Sequence, residues 1–200
     1  MSDIIMIEDT ARRTIADALT AQVIEAAEQG TWASALWARL ETQGLLQPSA
    51  MSEGGDTAEG LQIEAAVLRA AAATALPLPI AETALAGWFL AQQGIEAPAG
   101  PLSVASFAED DALSFQSGQV SGSLARVPWG RNAVGVVAIA NGTFLLLDPR
   151  SAKTTCGVNM AAEPRDTIAF NQATPLAVGG TADKEQMLWT ASSTAARAAS

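Results

Sequence analysis

The segment VGVVAIANGTFLLLD, residues 134–148, decides the architecture. Two apolar runs, 134–139 and 143–147, flank the dipeptide Asn141-Gly142. Asn followed by Gly suits a loop whose two central residues both need positive φ, the type I′ turn that matches the twist of paired strands. The segment therefore reads as a β-hairpin. Working outward, β-formers also gather at 102–107 and 120–127 before it. After it they gather at 155–158, just behind the Pro149 turn, and at 168–170 and 176–178. Asn141-Gly142-Thr143 also spells a glycosylation acceptor, a reading that carries little weight where no secretory signal is expected.

Upstream of about Gly94 to Gly100 the period lengthens and the chain reads helical. Ile7, Ala11, Ile15, Leu19 and Val23 recur every four residues and share one face of a first helix that stops at Gly30. Thr31 is placed to cap a second helix carrying Trp32, Leu36, Trp37 and Leu40, with Gly44 as its C′ residue. After a loop from Leu45 to Gly55, Asp56 and Glu59 have capping-box spacing. The third helix shows Leu61, Ala65, Leu68 and Ala72 on one face and ends at Pro77 and Pro79. A fourth, from about Thr83 to Gln93, presents Leu85, Trp88 and Phe89 and stops at Gly94. From Thr181 the pattern turns helical again, with Leu188, Ala191, Ala195 and Ala198 on one face. Helices, then strands, then a new helix predict an α+β protein: an N-terminal helical bundle over 1–98, a small β-barrel over 99–180, and the start of a further helical domain over 181–200.

Composition narrows the function. The 200 residues carry a net charge of −10, with 11 basic against 21 acidic side chains, which works against nucleic-acid binding. Hydrophobic residues make up 49% of the chain, so it can bury a core, yet no run reaches the roughly 18 apolar residues of a membrane span. With no basic region ahead of its first apolar residues, the chain reads as cytoplasmic. There is no histidine, which excludes Ser-His-Asp, Cys-His and His-ligated metal sites. The lone cysteine, Cys156, excludes a disulfide framework and reads as a small buried residue.

Local clusters give little chemistry. Glu109, Asp110 and Asp111 are consecutive, cannot converge on one point, and read as a solvated loop. Gly54-Gly55 lacks the strand-before, helix-after context of a dinucleotide loop and reads as a turn. Arg126 and Arg131 could meet phosphates or pair with surface acids. Trp129 follows Pro128 at a strand end, where its ring could stack on a ligand or simply pack. No metal site is expected.

The order of elements resembles the acyl-CoA dehydrogenase family over nearly all of the chain. Gly44-Leu45-Leu46, Glu53-Gly54-Gly55 and a helix from about Thr57 are similar to the family's helix–loop–Gly-Gly–helix segment. Leu76-Pro77-Leu78-Pro79, followed by Glu82, Leu85 and Leu90, is similar to its Pro-punctuated link into a fourth helix. Val120-Ser121-Gly122 and the stretch Asn132 to Ala138 resemble its middle strands. Asp148-Pro149 and Glu163-Pro164-Arg165, with Ile168 and Phe170, fit the strands that follow, and Trp189 to Ser200 resembles the opening of its C-terminal helical domain.

The resemblance implies an FAD-dependent oxidoreductase of fatty acid or steroid degradation, which takes a proton alpha to a CoA thioester with a carboxylate and passes a hydride from the beta carbon to the flavin. In the family that base lies in the C-terminal domain, so no catalytic residue is assigned here and the chain alone is expected to be inactive. The family's flavin-facing wall maps to Ala105, Ser106 and Phe107 and to Val127, Pro128 and Trp129. Its flavin loop is replaced by Ala105 to Asp111 and its Trp-Ile-Thr-Asn segment by Val127 to Gly130, which puts FAD binding in doubt. The partners implied are an acyl-CoA substrate and other subunits, in a homo-oligomer or as a non-catalytic partner of an intact acyl-CoA dehydrogenase. Either arrangement leaves Leu and Trp side chains of the β-lobe and last helix exposed on the isolated chain.

Overall fold

In a computed structural model, residues 2–46, 58–105, 112–183, 185 and 187 are described. Five helices come first: α1 Ser2–Ala18, α2 Ala21–Glu28, α3 Ser34–Thr42, α4 Ala58–Ala72 and α5 Ile80–Gln92. Eight strands follow: β1 Leu102–Val104, β2 Ala112–Gln116, β3 Gln119–Pro128, β4 Gly135–Ala140, β5 Thr143–Leu147, β6 Lys153–Thr155, β7 Arg165–Ala173 and β8 Ala177–Thr181. The protein is α+β, as its residue pattern predicts.

The expected first helix is in fact two. The four-residue apolar period runs on through Leu19 and Val23, but the helix breaks after Ala18 because Thr20 takes an extended backbone and its hydroxyl accepts from the Val23 amide at 3.3 Å. That N-cap starts α2 afresh. Thr31 does not cap α3. Its amide is spent on Ala26 O, closing α2, so α3 begins at Ser34 with Ala33 at the cap and no side-chain bond there.

Gly44 does end α3. At φ +67 it lets its amide reach Glu41 O and the Leu45 amide reach Leu40 O, the paired bonds of a Schellman stop. Gly94 closes α5 in the same way, with the Gly94 amide on Ala91 O and the Ile95 amide on Leu90 O. α4 has the same stop with Ala75 in the glycine position, at φ +48.

Ala11 and Ile15 of α1, Leu36, Trp37 and Leu40 of α3, and Val67, Ala70 and Ala71 of α4 form the helical core. The buried face of α4 thus differs from the expected Leu61, Ala65, Leu68 and Ala72: Ala65 is buried, Leu68 half-buried and Ala72 exposed. α4 packs against α1 on one side, and Leu76 and Leu78 fold back on the same core, which turns Ala72 outward. Glu8 ties α1 to α4, accepting from Arg12 at 2.7 Å and Arg69 at 3.0 Å. The two guanidinium groups hold its carboxyl below the usual range. The fourth expected helix starts at Ile80, three residues early, directly after Pro79 at its cap.

The β-lobe holds two four-stranded sheets, ordered β1-β4-β5-β8 and β2-β3-β7-β6. They face each other without closing into the expected barrel among the described residues. Their shared core is Val120, Leu124, Val127, Ile168 and Phe170 against Val136, Ala138, Leu145 and Leu147. The other face of the first sheet, Val137, Ile139, Phe144 and Leu146, packs on Ala86, Phe89 and Leu90 of α5. β4 is therefore buried on both faces, which is why it is apolar throughout instead of alternating. Each fully buried leucine here contributes about 1.5–3 kcal/mol. Met187, in the helical start after Thr181, joins this cluster.

The Asn141-Gly142 hairpin is present, with φ +50 and +74 and Ala140 opposite Thr143. Asn141 Oδ1 also accepts from the Phe115 amide at 2.9 Å, stitching β2 to this turn. β2 was not among the expected strands. It forms a second tight hairpin with β3 through Ser117-Gly118, at φ +51 and +79. Elsewhere the strands shift: β6 covers 153–155 where 155–158 was expected, β7 extends 168–170 in both directions, and β8 begins one residue later than 176. Cys156, expected to be buried, is exposed just beyond the short edge strand β6. Among the described residues, the large apolar side chains that are exposed are Ile5, Met6, Ile24, Val158, Met160, Leu176 and Val178. For the β-lobe the expected exposed leucine is Leu176, while the described tryptophans pack into or against the cores; Leu188 and Trp189 of the last helix lie outside the described residues. No described helix is long and apolar enough to cross a membrane.

Candidate functional site

The helical lobe and the β-lobe meet around Trp129. β3 ends at Pro128, and Trp129 turns the chain at φ +52 with its ring 7% exposed. Its amide donates to Pro164 O at 3.0 Å, and its carbonyl accepts from Asn132 and Ala133 at 2.9 and 3.0 Å. The carbonyl of Pro128 accepts from Ser103 Oγ at 2.5 Å. A left-handed tryptophan is held here by bonds to both its amide and its carbonyl. The ring meets Trp32 edge-on, with centroids 6.0 Å apart at 65°, and Trp32 in turn meets Trp37 at 5.8 Å.

Behind this turn lies a charged latch. Asp166, with no exposed surface, accepts from the Arg131 amide at 2.7 Å, from Arg131 Nε at 3.1 Å and Nη2 at 2.6 Å, and from the Gly157 amide at 3.1 Å. Arg131 Nη2 also donates to Gly157 O at 2.7 Å. The bond to Asp166 raises the guanidinium pKa further. A buried carboxylate is tolerable only with such full pairing. Gly130 lies between the latch and the core, since a side chain there would meet Ile168 at 2.9 Å and Asp166 at 3.2 Å.

In front of Trp129 opens a cleft of about 510 Å³. Its apolar wall includes Ile24 of α2, Leu68 and Ala71 of α4, and Leu76, Leu78 and Ile80. Glu28, Glu82, Glu163 and Arg165 supply the polar part of the lining. Arg165 donates to Pro164 O at 2.9 Å and to Glu163 Oε2 at 3.2 Å, and Glu163 Oε2 also accepts from Asn159 Nδ2 at 2.7 Å. Burial is the main cause that raises the Glu82 pKa. Its own backbone amide and Arg165 oppose the shift, and Glu163 adds to it. A mostly apolar cavity of this size with a few convergent polar groups has the make-up of a small-molecule site.

The residues expected to form a flavin wall separate here. Ala105 and Val127, 3% and 0% exposed, pack into the sandwich core. Pro128 is half-buried, and Trp129 reaches the cleft. Ser106 and Phe107 lie outside the described residues, as do Glu109, Asp110, Asp111, Glu53, Gly54, Gly55 and Asp56. Arg126 sits exposed at φ +53 in a bulge of β3, and Arg131 is taken by Asp166. With Ala105 and Val127 packed in the core and Arg131 paired with Asp166, the described residues are a poor fit for holding FAD by themselves. Among the described residues, no cluster of acids and cysteine could hold a metal ion.

In the sequence, Glu82 and the Glu163–Arg165 pair are marked only by the family resemblance. One signal was available for Glu82: it is the sole charge in IAETALAGWFLA, residues 80–91, a helix otherwise built to be buried.

No family model matches the sequence, and no curated protein matches it. Solved structures do. A variant of the Tcur3481-Tcur3483 steroid ACAD is similar with a TM-score of 0.75 at 20% identity, over 98% of this chain and 62% of that one. The ChsE4-ChsE5 complex from Mycobacterium tuberculosis gives 0.72 at 17% identity, over 96% of this chain and 60% of that one. An acyl-CoA dehydrogenase complexed with FAD, from Bacillus anthracis, gives 0.63 at 15% identity, over 96% of this chain and 39% of that one. The chain thus has an acyl-CoA dehydrogenase-like fold and spans less than two thirds of these structures' own length.

Proposed function

We propose that this chain supplies the helical and β-lobe walls of an acyl-CoA dehydrogenase-type site for a CoA thioester, and that alone it neither oxidises the thioester nor retains FAD. The observation carrying this reading is the Trp129 cleft, set between the two lobes of a fold that matches such enzymes over almost the whole chain. The acyl group would lie along the apolar wall from Leu68 to Ile80, which positions and dehydrates it. In a completed site of this type a bound flavin would supply the electron acceptor, and this chain's part would be to position the acyl group and keep water from it. The poor fit of this chain's own residues to a flavin means that a further unit, in the same protein or in another subunit, would hold it and carry the carboxylate base. Two similar structures are named as pairs of proteins, and one as a steroid ACAD, which favours a compact, ring-containing acyl group.

Assay of the purified 200-residue chain for acyl-CoA oxidation with an artificial electron acceptor should show no turnover, and its visible spectrum no flavin band. Turnover, or a yellow protein, overturns the proposal. A second reading, that of a non-catalytic partner of an intact acyl-CoA dehydrogenase, is favoured by the same paired structures. Co-purification with a longer flavoprotein tests it.

A further inference from the structure

We propose that Glu82, backed by Arg165, is the group with which the Trp129 cleft reads a carbonyl or hydroxyl oxygen on an otherwise apolar, compact ligand. This rests on the reading of the cleft as a small-molecule site. Three carboxylates line it, and they differ. Glu28 is exposed, and Glu163 is already bonded to Asn159 and Arg165. Glu82 is mostly covered and has no side-chain partner among the described residues; only its own amide reaches it. A covered carboxyl facing a cavity without a partner costs stability unless a ligand completes it.

Its position is fixed by the next residue. Thr83 Oγ1, 1% exposed, donates to Leu102 O at 3.2 Å and accepts from the Leu102 amide at 3.0 Å, which pins the first turn of α5 to β1. The two bonds anchor the backbone that carries Glu82 at the edge of the cleft. Burial favours its protonated form, which donates a hydrogen bond, and so selects an acceptor oxygen. Arg165 has five N–H donors and commits two of its nitrogens to Pro164 and Glu163, leaving donors for the same oxygen. The cleft lining also includes Ala71, Ala72, Ala75, Leu76 and Leu78, small and aliphatic side chains that suit an apolar, compact ligand.

The test is a ligand-observed NMR titration of the whole chain with 1-tetralone and, separately, with tetralin. The ketone should bind about tenfold more tightly, the worth of one net hydrogen bond. In Glu82→Leu that preference should vanish. In Glu82→Gln, which keeps size and a donor, it should persist and lose its pH dependence. For the native chain it should fade as pH rises and Glu82 ionises, with Glu28, Glu163 and Arg165 the other charged groups facing the cleft. Equal binding of the two probes by the native chain, or a preference that survives Glu82→Leu, overturns this inference and leaves the cleft reading standing. Binding of neither probe overturns both.

Discussion

Trp32, two residues ahead of α3, and Trp129, one residue past β3, meet edge to face with centroids 6.0 Å apart. The contact joins the helical lobe to the β-lobe at the rim of the cleft. Such ring pairs contribute about 0.5–1.5 kcal/mol beyond the area they bury. A double-mutant cycle with Trp32→Leu and Trp129→Leu, read by urea unfolding, should return a coupling in that range. Strict additivity would mean that the rings are neighbours without interacting.

The latch behind Trp129 gives a larger effect. Asp166→Ala strands Arg131 and the Gly157 amide and should cost about 3–5 kcal/mol. Asp166→Asn keeps the shape but halves its capacity to accept, and should cost less. Thermal melts of the two variants rank them, and a loss below 1 kcal/mol in Asp166→Ala would show that water replaces the latch.

Glu82 makes stability depend on pH in a defined direction. Its pKa is raised on folding, so between its unfolded value near 4.5 and its higher folded value the native state binds more protons than the unfolded one. Stability therefore falls as pH rises through that window and levels off above it. Glu82→Gln should flatten this slope and be the more stable chain at neutral pH. Denaturant midpoints from pH 4 to 8 for both chains check the sign.

Ala75 ends α4 at φ +48, in a position its Cβ resists. Ala75→Gly should gain about 0.5–1 kcal/mol, the relief of strain exceeding the entropy added to the unfolded chain. A lower melting temperature would show instead that Ala75, which lines the cleft, is held by its contacts there.

These sites differ in how far the residue pattern announces them. The Asn141-Gly142 hairpin is legible because both turn residues and both apolar runs are local. The helix stops at Gly44 and Gly94 are legible for the same reason. The break at Thr20 is hidden, because the apolar period continues across it while a single hydroxyl decides the cap. β2 is hidden as well: its pattern is short and half-exposed, and Ser117-Gly118 is a weaker turn signal than Asn-Gly. Trp129 is identifiable from its place after Pro128. Its neighbours Trp32, Glu82 and Arg165 arrive from distant parts of the chain, and only packing assembles them.

α5 belongs to two cores at once. Ile80 sits with the helices, while Phe89 and Leu90 sit under the first sheet and Thr83 grips β1. A rod shared in this way cannot leave one neighbour while staying with the other. Calorimetry should then record one endotherm for the whole chain, and severing the 94–101 connection should release no fragment that refolds by itself.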